Sequence, residues 1–288
     1  MKILLTGATG FLGSALLHKL TDLGIDVVVV GRTASDNCLS DGLSHEKPID
    51  GCVHLATCYL PSHTEEQIQD LIESNVLFGT RIAEAAVKLG CKWFINAATF
   101  WQHASDGAPV NLYAATKEAF QDVLAYYNTA QGLKFANLEL TDTYGENDPR
   151  KKLVNLWCKA LYTKTSLPMS QGRQEVELLH RDDVVAAFVG LSQMLNSGDV
   201  RIAGHGETYY LPVKERLTLR QVAAVFERVT GDALPIKWGA RPERAREIMR
   251  IEHRGAPLPG WEQRIALEEG FRRVYAWFKN NVASVIRA

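Results

Sequence analysis

Short continuous apolar runs alternate with stretches of helical spacing through the first half of the chain. "KILLTG" reads as a buried strand, "GSALLHKLTDLG" as a helix closed by Gly24, and "DVVVVG" as a second strand. "IDGCVHLA" follows as a strand, "ESNVLFGTRIAEAAVKLG" as a helix ending at Gly90, and "KWFINAAT" as another strand. "LYAATKEAFQDVLAYYNTAQG" is a long helix stopped near Gly132, and "FANLELTD" is the strand after it. Strands that are apolar throughout, separated by amphipathic helices, predict a parallel sheet covered on both faces.

Beyond Tyr144 the texture changes. The pattern predicts a helix over "LVNLWCKALY", a loop through "TSLPMSQG", and a strand and helix in "EVELLHRDDVVAAFVGLSQML". Further helices fall in "TLRQVAAVFERVTG" and "ALEEGFRRVYAWFKNNV", with a Pro/Arg-rich stretch, "GARPERAREIMR", between them. Residues 33–48 show no clear period and read as a loop with at most a vestigial strand.

With 288 residues and 46% hydrophobic content the chain can bury one large core or two modest ones. Lys and Arg total 32 against 33 Asp and Glu, so no net field draws it to nucleic acid or to acidic membranes. An anionic ligand must be held by local donors. The five cysteines are scattered without a CxxC pair, which argues against a disulfide framework and a zinc site; no His/Asp/Glu cluster has metal-ligand spacing. Met1 leads straight into the first strand and no apolar run reaches the ~18 residues of a membrane span, so the expectation is a cytoplasmic protein.

The first strand is followed by "TGATGFLG", with Gly7, Gly10 and Gly13 at intervals of three. Glycines at a strand-to-helix turn let the backbone approach a pyrophosphate, and the amides at the helix start face its charge. A glycine-rich turn by itself is often only a turn. Here a strand precedes it, a helix and a second strand follow, and that context predicts a dinucleotide site. The second strand ends in "VVVVGRT", so Gly31 and Arg32 stand where a ribose-gripping carboxylate would mark NAD. Arg32 therefore favours NADP, the plain alternative being a solvated loop arginine.

Tyr113 and Lys117 are four apart in the long helix and share a face. Such a pair is usually helix-surface decoration. The pair alone does not decide between that and an acid: a phenol titrates near ~10, and an adjacent ammonium would favour the phenolate.

These motifs resemble the extended short-chain dehydrogenases/reductases, the nucleotide-sugar epimerase/dehydratase group. The matching pieces are "TGATGFLG", "DGCVHLA", "SNVLFGT", "FINAATFWQ", "YAATK", "DTYGENDPR" and "LLHRDDV", in the family's order, and "LPGWEQRIALEEG" looks like its C-terminal signature. More narrowly, "FINAATFWQH", "PVNLYAATKEAF" and "DTYGENDPRKKL" resemble the branch containing CDP-abequose and CDP-paratose synthases, NADPH-dependent 4-ketoreductases. Departures are Ala97 and Ala98 in place of serines, Glu146 in place of a proline, and a short loop at 33–48.

The resemblance implies an α/β, Rossmann-type doubly wound parallel sheet with a smaller C-terminal substrate-binding lobe. Residues 1–145, rejoined by 175–203, would form the dinucleotide domain, and 146–174 with 204–288 the lobe. It implies Thr99, Tyr113 and Lys117 as the catalytic residues. The NADP(H) site would comprise Gly7, Gly10, Phe11, Leu12, Gly13, Arg32, Leu55, Ala56, Asn75, Tyr113 and Lys117. Gln102, His103, Asp142, Arg150, Gln174 and Arg244 would meet the nucleotide sugar, the arginines as phosphate clamps, while Asp142, Arg150, Gln174 and Arg244 read equally as charged or polar surface residues. Asn75 reads equally as a plain helix polar residue, His54 and His180 as packing, and Trp101 as a core aromatic. The helices over 75–89 and 113–131 correspond to those through which the family dimerises, which implies a homodimer, the plain alternative being that their apolar faces pack on the sheet. The implied activity is NADPH-dependent reduction of the 4-keto group of a CDP-linked 6-deoxy or 3,6-dideoxy hexose. The rivals are an epimerase or dehydratase that retains NAD, and an NADP-binding redox-sensing regulator without catalysis.

Overall fold

The computed structural model describes residues 1–31, 43 and 48–287. In chain order the first elements are β1 (Lys2–Thr6), α1 (Phe11–Asp22), β2 (Asp26–Val30) and β3 (Gly51–His54). They are followed by α2 (Ile68–Ile72), α3 (Phe78–Lys88), β4 (Trp93–Thr99), α4 (Leu112–Gln131) and β5 (Lys134–Leu140). Then come β6 (Asp142–Tyr144), α5 (Leu153–Thr163), β7 (Leu167–Met169), β8 (Glu175–Val176), β9 (Leu178–His180) and α6 (Arg181–Ser197). The chain continues through β10 (His205–Tyr210), β11 (Leu217–Thr218), α7 (Leu219–Thr230), β12 (Ile236–Trp238), β13 (Ala256–Pro257) and α8 (Leu267–Arg287).

Seven strands form one sheet in the order β13-β10-β5-β4-β3-β1-β2, and every pairing in it is parallel. The order reverses at β1, which has β2 on one side and β3 on the other. In open α/β sheets a ligand lies beyond the carboxyl ends of the strands at such a reversal. This is the doubly wound sheet that the alternating pattern predicts.

The chain divides into two compact units. The first comprises residues 1–140, 185–211 and 253–261 and contains the whole sheet. One of its cores packs Leu4, Cys52, Phe94 and Phe135 of the strands against Phe78, Ile82 and Ala86 of α3 and Phe120 and Leu124 of α4. The second unit comprises residues 141–184, 212–252 and 262–288, with small sheets β6-β9, β7-β12 and β8-β11 around Trp157, Phe226, Phe271 and Phe278.

Two departures from the sequence pattern concern short strands. "HGETYY" carries too few apolar residues to read as a strand, yet as β10 it pairs with β5, and β13 pairs with it in turn. Residues 205–210 and 256–257 therefore belong to the main sheet. Within the expected loop "TSLPMSQG", Leu167–Met169 forms a parallel pair with Ile236–Trp238. Of residues 33–48, where a vestigial strand was expected, 33–42 and 44–47 lie outside the described residues.

Candidate active site

The glycine turn leaves β1 with Gly7 at φ +72°, a left-handed conformation that a side chain resists. The Gly10 amide donates to the Gly7 carbonyl at 2.9 Å, and α1 begins immediately afterwards. A Cβ on Gly13 would stand 2.0 Å from the Gly7 oxygen, so the helix meets the turn only because Gly13 has none. A Cβ on Gly7 would stand 2.7 Å from the Ala56 nitrogen and the Leu55 carbonyl carbon. Leu55 and Ala56, both expected at the cofactor, thus border the turn. Phe11 is buried and Leu12 half-buried behind it. No side chain caps the start of α1, and a helix N-terminus suits an anionic acceptor. These features fit a dinucleotide pyrophosphate. Arg32, on which NADP selectivity was expected to rest, lies outside the described residues.

Asn75 sits in a π-helical turn, Glu73–Leu77, between α2 and α3. Its Oδ1 accepts from the Cys58 amide at 2.7 Å and from the Thr57 hydroxyl at 2.9 Å. Its Nδ2 donates to the Cys58 carbonyl at 3.0 Å and to Thr116 Oγ1 at 2.9 Å. Thr116 in turn donates to the Tyr113 carbonyl at 2.7 Å. Asn75 therefore pins the loop after β3 to the first turns of α4. Thr57, Cys58 and Thr116 were missed in the sequence, where only the polar Thr116 inside "YAATK" hinted at a bond.

Helix α4 starts at a cap: Asn111 Oδ1 accepts from the Ala114 amide at 2.9 Å. Tyr113 and Lys117 follow on its inward face, 8% and 2% exposed respectively. They are not surface decoration. Burial pulls the Lys117 ammonium down from 10.5 to about 8, and among the described residues no carboxylate pairs with it. It remains about nine-tenths protonated at neutral pH. The Tyr59 ring meets Tyr113 edge-on at 5.1 Å. Thr99 closes β4, and its Oγ1 accepts from the Trp101 amide at 3.4 Å, so it also caps the short turn Phe100–Gln102.

Among the residues expected at the substrate, Gln102 is consumed internally. Its Oε1 accepts from the Thr99 amide at 2.9 Å, and its Nε2 donates to Glu118 at 2.6 Å and Gln121 at 3.2 Å. A glutamine at the third position of a Thr-capped turn folds back on the cap, and this one braces β4 against α4. His103 lies 3.5 Å from Glu118, and Trp101 is buried, as its core reading anticipates.

Asp142, Arg150, Gln174 and Arg244 belong to the second unit. Arg150 grips Asp148 with two bonds of 2.8 Å and also donates to the Thr143 carbonyl at 3.0 Å. Asp142 pairs with Lys152 at 3.2 Å, Gln174 donates to Ser170 at 3.2 Å, and Arg244 is exposed. Glu146 is a hub. It accepts from Arg273 Nε at 2.8 Å and lies 3.1 Å from His180 Nε2, while its carbonyl accepts from Arg181 at 2.9 Å. Burial raises its pKa, but the His180 hydrogen bond and other partners, Arg273 among them, outweigh this and hold the carboxyl down at about 2. His180 is structural, its Nδ1 accepting from the Asp182 amide at 3.2 Å. Among the described residues no group of His, Cys, Asp and Glu could hold a metal ion, and no helix is long and apolar enough to cross a membrane.

A parallel sheet with a glycine turn at its reversal point, and a buried tyrosine-lysine pair on the helix after β4, define a Rossmann-type nucleotide-binding protein. The solved structure of MoeE5 in complex with UDP-glucuronic acid and NAD matches with a TM-score of 0.80 at 22% identity, covering 98% of this chain and 100% of that one. The UDP-glucose 4-epimerase of Thermotoga maritima with UDP-glucose also gives 0.80, at 19% identity over 98% and 100%. The model of the NAD dependent epimerase/dehydratase family matches residues 3–203, and the chain belongs to that family. A nicotinamide cofactor is supported accordingly. CDP-abequose synthase of Salmonella muenchen is 28% identical over 95% of this chain and 96% of its own length. The Yersinia pseudotuberculosis protein of the same name is 24% identical over 83% and 88%.

Proposed function

We propose that the protein uses NADPH to reduce the 4-keto group of a nucleotide-linked 6-deoxy or 3,6-dideoxy hexose, with CDP as the carrier. The observation that carries this reading is the burial of Tyr113 and Lys117 together on one face of α4. An ammonium held without a carboxylate partner is costly, and its use is to act on the adjacent phenol. The similarity to CDP-abequose synthases along nearly the whole chain supports the carrier and the ketoreductase class. The nicotinamide, when bound, supplies hydride to the carbonyl carbon.

The chain's own residues do the rest. Tyr113 gives its phenolic proton to the carbonyl oxygen, Thr99 Oγ1 holds that oxygen by a hydrogen bond, and Lys117 favours proton loss from Tyr113 and binds the nicotinamide ribose. Gly7, Gly10 and Gly13 admit the pyrophosphate, and Arg32 takes the 2′-phosphate of NADPH. Asp142, Gln174 and Arg244 remain candidates for the sugar nucleotide. For Arg150 the clamp role requires it to share its guanidinium with Asp148. The protein acts as a homodimer through the helices over 75–89 and 113–131, where Leu77 and Tyr126 are exposed at 42% and 59%.

The test is a screen of CDP-, dTDP-, GDP- and UDP-linked 4-keto-deoxysugars with NADPH and NADH, scoring net cofactor oxidation and the C4 configuration of the product. Turnover confined to CDP substrates with NADPH is the expected result. A second reading, an epimerase or dehydratase that retains NAD, is favoured by the NAD bound to MoeE5 and to the UDP-glucose 4-epimerase of Thermus thermophilus. Stoichiometric NAD released from the purified protein, with no net NADPH oxidation, would replace the first reading by the second. Binding of NADPH with no turnover of any sugar nucleotide would instead favour a redox-sensing regulator.

A further inference from the structure

Four fully buried polar side chains stand in register across the middle of the main sheet: Thr6 of β1, His54 of β3, Asn96 of β4 and Asn137 of β5. The hydrogen bonds along this row run in one direction. The Ala56 amide donates to Thr6 Oγ1 at 3.2 Å, and Thr6 Oγ1 lies 2.9 Å from His54 Nδ1. The Thr6 hydroxyl proton has no other acceptor among the described residues, so it points at Nδ1 and the ring carries its proton on Nε2. From the far end, Asn137 Nδ2 donates to the Gly206 carbonyl at 3.1 Å, which turns Asn137 Oδ1 towards Asn96. Asn96 Nδ2 donates to that oxygen at 2.9 Å, which leaves Asn96 Oδ1 as an acceptor.

Two atoms are left over at the centre of the row, His54 Nε2 and Asn96 Oδ1, both buried and without a protein partner. They are complementary, a donor and an acceptor on neighbouring strands at register positions His54↔Asn96. Adjacent strands are about 4.8 Å apart, and one water making two hydrogen bonds of ~2.9 Å bridges side-chain atoms separated by a comparable distance. An unpaired buried polar atom is a substantial penalty, and native proteins relieve it with ordered water.

We propose that one buried water molecule is bound between His54 and Asn96, accepting from Nε2–H and donating to Oδ1, and that it completes a one-way hydrogen-bonded row from the Ala56 amide to the Gly206 carbonyl. Phe78, Phe94 and Phe120 pack around the His54 ring, with centroids at 6.1, 5.8 and 5.2 Å. Burial, together with the nearby Lys117 charge, takes His54 down to about 3 and keeps it in the neutral form that the row requires. The first link holds Ala56 beside Gly7, so the water also positions one wall of the glycine turn. That last consequence rests on the cofactor reading above; the water site does not.

In 15N-labelled protein a long-range 1H–15N spectrum reads the tautomer directly. The expected result is a neutral, Nε2-protonated His54 from about pH 6 to pH 9, with its Hε2 cross-relaxing to water. An Nδ1-protonated ring, or no water cross-peak, would overturn the proposal. His54→Phe and Asn96→Leu should each lower Tm, and the double variant should lose less than their sum because neither half-partner remains; additive losses would also overturn it. A folded Asn96→Leu variant should bind NADPH several-fold more weakly, and unchanged affinity would remove the link to the turn. Failure of the wild type to bind any nucleotide would instead count against the cofactor reading and leave the spectroscopic and stability results in force.

Discussion

Lys117→Met should make the protein more stable and inactive at once. Methionine keeps an unbranched apolar stem of similar length and removes only the buried ammonium. In the folded protein burial lowers the lysine from 10.5 to about 8. At 1.36 kcal/mol per pKa unit, folding around the charged form costs about 3 kcal/mol at neutral pH. Removing the charge should therefore raise Tm by roughly 5–10 °C at pH 7. The gain has a definite pH signature. Above about 8 the folded wild type sheds its proton while the unfolded chain keeps it to 10.5, so the wild type gains stability across that window and the variant's advantage shrinks. Thermal unfolding of both proteins at pH 7 and near pH 10, alongside steady-state turnover, makes the comparison. A variant less stable than wild type at pH 7, or an advantage independent of pH, would refute the reasoning, as would near-normal turnover.

Tyr113→Phe should retain NADPH affinity in a fluorescence titration while turnover falls by ~10³-fold or more, because only the transferable proton is lost. Gly13→Ala should abolish nucleotide binding and cost about 1–3 kcal/mol in chemical denaturation, since the added carbon lands 2.0 Å from the Gly7 oxygen. Glu146→Gln should cost about 1–3 kcal/mol at pH 7 by urea unfolding. The Glu146 carboxyl is held at about 2 against an ordinary 4.5, so its contribution is present above pH 4.5 and is lost as pH falls towards 2; the difference from wild type should fade in that window.

What could be read from the sequence was what depends on a residue and its near neighbours. The glycine turn is legible because the requirement for no Cβ at Gly7 and Gly13 is set by local backbone, and the Tyr113 and Lys117 spacing is legible because a helix puts i and i+4 on one face. β1, β4 and α4 announce themselves by their apolar patterns. β10 does not, because its extended form comes from pairing with β5 rather than from its own residues, and so the extent of the main sheet was underread. The same limit governs the polar side chains. Nothing in "FWQH" reveals that Gln102 is taken up by the Thr99 amide, Glu118 and Gln121, nor does Arg150 disclose that Asp148, two residues back, already holds it. Glu146 did carry a signal, a carboxylate in place of the family's proline, but its partner Arg273 is remote in sequence.

The first unit places an uncommon number of polar groups where apolar ones would pack more cheaply. Lys117, Asn75, Thr116, His54, Asn96 and Asn137 are all nearly or fully buried. Most are tied down by pairwise bonds, so their cost is offset and their geometry is fixed. Lys117 is a buried charge, and burial alone lowers its pKa. A fold selected for stability alone would replace it, as coiled and helical cores do with leucine or methionine. On the proposed function its retention ties that cost to chemistry: the same desolvation that costs about 3 kcal/mol would leave the ammonium's field less screened by water at the Tyr113 phenol. On that proposal function and stability are opposed at Lys117, and a single substitution there would separate them.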